Sequence, residues 1–307
     1  MTEKKEENLV EGITTDKERA FYNTRNTHFL NCKIDGPADG ESAFKECRNI
    51  TVEKTLNNLR YPYWHCTNLS IIDCTLAEPS RASIWYCDNV NMSGTKIESV
   101  KSFRDCSNIN IKDCDITSED FGWRLNGAKI TGSKIKEAVR GFLDCNNVNI
   151  ESSDLSGKYM FQYSSNITLT NCTIDSKDLF WHCKNAYIKD CTIKSEYLAW
   201  YSENVIFENC SIESVQPLCY CKRLKLINCK LFKANLSFEY SEVDADIHSH
   251  VDSIKNVLSG KVVCDSYGEY VTDDPVYKCV GVIEARNQKK EEKKEEKKEE
   301  KKEEEKK

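Results

Sequence analysis

The stretch NITLTNCTI, Asn166 to Ile174, is followed by NAYIKDCTI from Asn185 and NVIFENCSI from Asn204. The same pattern precedes them as NITVEKTL from Asn49, NLSIIDCTL from Asn68, NVNMSGTKI from Asn89, NINIKDCDI from Asn108 and NVNIESSDL from Asn147. Degenerate copies begin at Asn26, Gly127 and Arg223, and a partial one runs from Leu236 to Val243. An Asn-Ile-x-Ile-x-x-Cys-x-Ile motif that returns about every nineteen residues sets the architecture before any single residue does.

Within a copy, apolar residues one and three places after the Asn alternate with polar ones, and the Cys-x-Ile pair restarts the alternation. Two short strands with a kink between them follow. Upstream lies a third strand-like run, as in FKEC, YWHC, IWYC, FRDC, FLDC and FWHC. Three strands and three bends make one coil of an all-β, single-stranded parallel β-helix, in which each strand pairs with its equivalent ~4.8 Å away. About twelve coils with Asn and Cys ladders then form a rod on the order of 55 Å long. The alternative is a leucine-rich-repeat-like solenoid, whose strand segment the motif also matches. Its period of ~20 to 29 residues is longer, and this repeat places Trp, Tyr, Phe and Pro where a helical segment belongs.

An uninterrupted repeat over 20–243 favours one elongated domain in the chain of 307 residues. Residues 1–19 are then an N-terminal cap and 244–286 an irregular β cap, both needed because bare coil edges invite pairing. The last residues, 287–307, are almost all Lys and Glu in a KKEE pattern that sets like charges four apart, so a disordered solubilising tail is expected. No apolar run is long enough to span a membrane, and a net charge of -6 without a basic stripe offers nothing to nucleic acid. MTEKKEENLVEG lacks the apolar core of a signal peptide, from which a cytoplasmic location is expected.

Fourteen of the seventeen cysteines fall in two columns of the repeat. One holds Cys47, Cys66, Cys87, Cys106, Cys145, Cys183 and Cys221; the other holds Cys32, Cys74, Cys114, Cys172, Cys191, Cys210 and Cys229. Thr55, Thr95, Ser133 and Ser153 replace Cys in the second, so the slot asks for a small side chain at a crowded bend. Stacked Cβ atoms ~4.8 Å apart are also too distant for disulfides, and reduced structural thiols are expected. The Asn column reads as a ladder of amides satisfying one another at a buried turn.

Five places before the Asn stand Phe44, Tyr63, Ile84, Phe103, Gly122, Phe142, Phe161, Phe180, Ala199 and Leu218. This column and the Cys column three residues later both look buried, yet residues i and i+3 cannot share one face of a regular strand. Without a bulge, an aromatic stripe faces solvent: either Trp64, Trp85, Trp123, Trp181 and Trp200, or the Phe column beside His65, Tyr86, Tyr163, His182, Tyr201 and Tyr220. A bulge instead buries both columns, and the large aromatics become core filler. A stripe of flat faces suits sugar rings or a protein partner, so Trp64, His65, Trp85, Tyr86, Trp123, Trp181, His182, Trp200 and Tyr201 form the candidate binding set.

Asp105 and Asp144 stand two coils apart, hence ~9.6 Å, with Arg124 between them. Paired carboxylates near that separation fit the acid and base of an inverting glycosidase, and Arg124 suits a sugar carboxylate. A surface ladder in which Arg124 bridges two acids is the plainer reading. His65 and His182 lie six coils apart and cannot share a site. His248, His250 and Asp252 share a strand face, but a chelate needs further ligands that the sequence does not supply, so neither metal nor other cofactor is expected.

GPADGESAFKECRNITV (36–52), NLRYPYWH (58–65), YLAWYSENV (197–205), QPLCYCKRLKLINC (216–229) and VDSIKNVLSG (251–260) carry a resemblance over residues 8–285. The chain resembles the bacterial domain-of-unknown-function family numbered 3737. The resemblance implies a right-handed parallel β-helix of pectate-lyase-like architecture, and implies no activity, because a fold does not specify a reaction. Three functions stay open: a non-enzymatic scaffold presenting the stripe to carbohydrate or protein, a carbohydrate-active lyase or hydrolase using Asp105, Arg124 and Asp144, and a self-associating rod.

Overall fold

Every full copy of the motif turns at its first residue. Asn49, Asn68, Asn89, Asn108, Asn147, Asn166, Asn185 and Asn204 hold φ between 53° and 57°, with Gly127 at 79° in the same slot. Asn and Gly enter this left-handed region at lower cost than other residues. A second left-handed corner stands immediately before the Cys of the motif, at Asp73, Asp113, Asn171, Asp190 and Asn209, with Gly94 and Gly132 in that slot elsewhere. Each corner ends one strand and aims the next.

A computed structural model describes residues 8–273 and 275–287. There the chain winds into an all-β parallel solenoid of about fifteen turns. Ser165–Thr170, Lys184–Lys189 and Glu203–Glu208 pair side by side in one long ladder, with Ile167, Ala186 and Val205 in register. Thr173–Lys177, Thr192–Glu196 and Ser211–Val215 do the same in a second, with Ile174, Ile193 and Ile212 aligned. Among the described residues, the third side forms a regular four-stranded sheet at Tyr63–Trp64, Ile84–Trp85, Lys101–Arg104 and Asp120–Trp123.

About fifteen turns replace the twelve expected because the ladder continues into both presumed caps. Asn8–Glu11 pairs with Arg25–Leu30, and after Glu242–Ile247 come Ser259–Cys264 and Val282–Ala285 in the same parallel sheet. Period was lost there because coil length changes: Glu242 pairs with Ser259 seventeen residues on, whereas Lys261 pairs with Val282 twenty-one residues on. A sheet needs only inward alternation, which Val262 and Cys264 keep. The tail expected at 287–307 lies outside the described residues, apart from Asn287.

The conflict between the Phe and Cys columns is resolved by a bulge. Phe103, Phe142, Phe161 and Phe180 are left-handed, and so are Asp105, Asp144, Tyr163 and His182 two places later. The doubled kink turns both columns inward, and Phe44, Phe103, Phe142, Phe161 and Phe180 stack beside Cys47, Cys106, Cys145 and Cys183 in the core. Phe161 packs face to face with Phe142 at 4.6 Å and with Phe180 at 5.1 Å.

Such kinks strand backbone groups, and the small residues at the Cys slot satisfy them. Ser164 Oγ accepts the Cys145 N–H at 2.9 Å and donates to the Phe142 carbonyl at 2.6 Å. Cys66 and Cys221 donate their thiols to the carbonyls of Phe44 and Ala199, each at 3.0 Å. Thiol and hydroxyl are interchangeable because each both accepts and donates. All seventeen cysteines are free, and all but Cys279 are buried. Burial pushes the Cys145, Cys183 and Cys221 thiols up to about 12. The Asn ladder exists as expected, with Asn68 Nδ2 on Asn49 Oδ1 at 2.7 Å and Asn204 on Asn185 at 2.9 Å. It runs along the exposed surface, not in a buried turn.

Three outcomes test this account. Phe161→Ala should lower unfolding free energy by about 3–5 kcal/mol in a urea titration, because it leaves a gap in a closed stack. Asn185→Val should cost about 1–2 kcal/mol and more than Asn185→Gly, since only the latter tolerates the left-handed corner. Alkylation at pH 8 followed by mass spectrometry should find one modified thiol, Cys279, in the native protein and all seventeen after unfolding.

Candidate functional site

The bulge that buries the Phe column pushes the next two residues to the surface. His65, Tyr86, Arg124, Asp144, Tyr163, His182 and Tyr201 are exposed, while Asp105 and Tyr220 are half-buried. Left-handed φ values between 52° and 60° at all of these residues give them one orientation, so their side chains repeat along the rod like teeth of a comb. Tyr163 stacks on His182 at 5.0 Å, His182 on Tyr201 at 5.1 Å, and Tyr201 on Tyr220 at 4.7 Å, with planes within 10° of parallel. His65 and Tyr86 form a shorter pair at 4.9 Å.

The spacing decides what the comb offers. Rings about 5 Å apart cover one another's faces, so solvent meets ring edges and phenol hydroxyls instead of the flat platforms expected. The row continues past the expected set: Tyr240 lies 5.9 Å from Tyr220, and Tyr277 meets Tyr240 edge-on at 5.2 Å. Tyr277 is held by the Val276 N–H, which donates to the Tyr240 hydroxyl at 3.0 Å. Tyr163, Tyr220 and Tyr240 were legible as further members of one column; Tyr277 arrives on an irregular loop and left no periodic signal. Burial, with Glu239 beside it, pushes the Tyr220 phenol up to about 12.

The tryptophans one place upstream have a different task. Trp64, Trp85, Trp123, Trp181 and Trp200 are half-buried. Trp64 donates its indole N–H to the Ala82 carbonyl at 3.0 Å, Trp123 to Arg140 at 2.9 Å, Trp181 to Tyr197 at 2.6 Å and Trp200 to Gln216 at 2.7 Å. Each clasps the corner of the next coil. Trp181 and Trp200 also stack at 5.6 Å, and Trp64 and Trp85 at 5.3 Å. They brace the comb from one side.

Between the two aromatic stretches the same column holds Asp105, Arg124 and Asp144. Arg124 forks onto Asp105 with contacts of 2.5 and 2.6 Å, which raises the guanidinium above its ordinary range. Arg104 also approaches Asp105 at 3.5 Å. Among the described residues Arg124 makes its ion pair with Asp105 and none with Asp144, so it does not bridge both acids. His248 pairs with Asp246 at 3.1 Å and His250 with Ser266 at 2.9 Å, so these two imidazoles engage different partners. Among the described residues no three His, Cys, Asp or Glu side chains gather as a metal would require.

Comparison with solved structures finds distant likenesses. The A-module of the Azotobacter vinelandii mannuronan C-5 epimerase AlgE4 is 8% identical, with 91% of each chain covered and a TM-score of 0.28. The periplasmic alginate epimerase AlgG is 10% identical over 86% of this chain and 69% of its own, at 0.25. A GH136 lacto-N-biosidase from Eubacterium ramulus is 9% identical over 90% and 62%, also at 0.25. Scores this low carry no inference about chemistry. No curated protein matches the chain in sequence. The model of a family described as a protein of unknown function, DUF3737, matches residues 8–283, and the chain belongs to that family.

Proposed function

We propose that the protein is a non-enzymatic binding scaffold that receives an elongated ligand, a carbohydrate chain, along Tyr163, His182, Tyr201 and Tyr220. The observation that carries this reading is the exposed comb itself. Its hydroxyls and ring edges recur every 4.7 to 5.1 Å on an open, straight surface. A periodic row of hydrogen-bonding groups is matched by a ligand that is itself periodic, and sugar hydroxyls pair with phenols as donors and acceptors. What favours a scaffold over an enzyme is that Asp105, one of the two candidate carboxylates, is engaged by Arg124. Seventeen free thiols support residence in a reducing compartment such as the cytoplasm.

The test is a glycan array probed with the protein and with a Tyr163→Ser, Tyr201→Ser double variant. Tryptophan substitutions serve poorly, because they break inter-coil clasps as well as surface. Binding should fall by about tenfold or more in the tyrosine variant while circular dichroism stays native, in line with the energy of a few aromatic contacts. Undiminished binding by the variant, or turnover of a bound glycan, overturns the proposal. Capture of peptides but no glycans by the native protein shifts the ligand class to protein and overturns the carbohydrate assignment.

A further inference from the structure

Four of the five tryptophans give their indole N–H to a backbone carbonyl of the following coil; Trp85 does not. Its Nε1 is screened from solvent and has no hydrogen-bond partner. Leaving such a donor unmet is unfavourable, because the water it gave up on folding is not replaced. In this coil, just upstream of Trp85, the chain carries a short 3₁₀ turn, Glu78–Ser80, in a corner two residues longer than its predecessor. The turn ends at Arg81 with φ 48° and ψ −83°, a conformation that residues with a side chain rarely adopt. Strain of this kind concentrates at functional sites.

The lengthened corner opens a pocket of about 140 Å³ lined by Tyr61, Arg81, Ala82, Trp85, Val100 and Lys101. Arg81 is exposed, and its guanidinium has no ion pair among the described residues. Lys101 reaches only a distant carboxylate, Asp120, at 3.7 Å, and Asp120 is already met by Arg140 at 3.1 Å. Arg104 lies over the Trp85 ring at 4.8 Å and also leaves its buried Nε without a hydrogen bond. Its other charge partner, Asp105, is shared with Arg124. Among the residues lining the cavity, one unmet donor, the Trp85 indole, therefore stands with two cations, Arg81 and Lys101.

The adjoining groove, on the far side of Val100, has the opposite character and is lined by Glu78, Glu98, Glu119 and Glu137. Carboxylates there accept hydrogen bonds from hydroxyls and repel a second anionic group. The pocket and groove together select a ligand with one oxyanion and several hydroxyls.

We propose that this pocket binds the carboxylate of a small sugar acid, with the Trp85 indole N–H and the Arg81 guanidinium donating to it and Lys101 supplying a second positive charge. The sugar hydroxyls extend over Val100 toward the glutamates. Because the indole nitrogen is screened, the ligand reaches it after the long exposed ends of Arg81 and Lys101 swing aside, a motion of picoseconds to nanoseconds. This site is separate from the tyrosine comb and does not depend on what the comb binds.

The experiment is a ¹H–¹⁵N titration of the indole resonances of the full chain. Sodium glucuronate, glucose and inorganic sulfate are the probes. Glucuronate should move one of the five indole signals, the one missing in Trp85→Phe, and leave the four clasped indoles in place. Arg81→Gln should weaken that response by about tenfold or more, the scale of a lost charge-assisted pair, with the four clasped signals reporting an intact fold. No movement with glucuronate, equal affinity in Arg81→Gln, or a matching response to glucose overturns the site. A response to sulfate as strong as that to glucuronate overturns the sugar-acid assignment and leaves a simple oxyanion pocket.

Discussion

The whole molecule depends on a backbone conformation that most residues avoid. Each coil turns several times through the left-handed region, at the Asn, before the Cys, and twice in the aromatic run. Every such corner costs on the order of 1 kcal/mol for a residue other than Gly or Asn. What holds the corners is stacking. A side chain that turns a corner meets its own kind one coil away, and the amide, thiol and ring ladders all arise from that repetition. The corners set the coil length, the length keeps the columns aligned, and the columns return the energy that the corners consume.

Much of this was legible in the residues, for physical reasons that differ by column. Asn announces both a ladder and a left-handed turn, and Cys exchanged for Ser or Thr announces a small polar slot. Tyr in the comb announced neither, because nothing intrinsic to Tyr163 or Tyr201 favours positive φ; tertiary stacking overrides their preference. The bulge was one of two options left by the i and i+3 spacing, and only the coordinates chose it. The terminal coils were missed for a similar reason. A parallel sheet accepts any inward alternation, whereas a period in the sequence requires equal coil lengths, and these change from seventeen residues at Glu242 and Ser259 to twenty-one at Lys261 and Val282.

The aromatic residues divide the labour that the sequence had assigned to a single stripe. Phe142, Phe161 and Phe180 fill the core, Trp181 and Trp200 tie one coil to the next, and Tyr163, His182, Tyr201 and Tyr220 stand outside. Stacking within the comb removes ring faces from solvent and leaves their edges, which changes the chemistry on offer from flat apolar contact to hydrogen bonding. The charged interval at Asp105, Arg124 and Asp144 separates the comb from the His65 and Tyr86 pair, so the surface reads as two aromatic patches joined by ions.

Register in the two long ladders holds over most of their length, yet coil length is not constant. Asn57 pairs with Leu76 across nineteen residues, whereas Ile84 pairs with Tyr63 across twenty-one, and the surplus falls between Leu76 and Ile84. The shift at Ala138 lies in the same region of its own coil, as does the loop after Ile34. Most of the slack in the winding gathers at one corner, the side where no continuous sheet counts residues, with a further shift between Leu226 and Cys229. In a lineage of such proteins, insertions and deletions would therefore line up along a single edge of the rod, giving evolution one margin on which to write new pockets while the text of the columns stays unchanged.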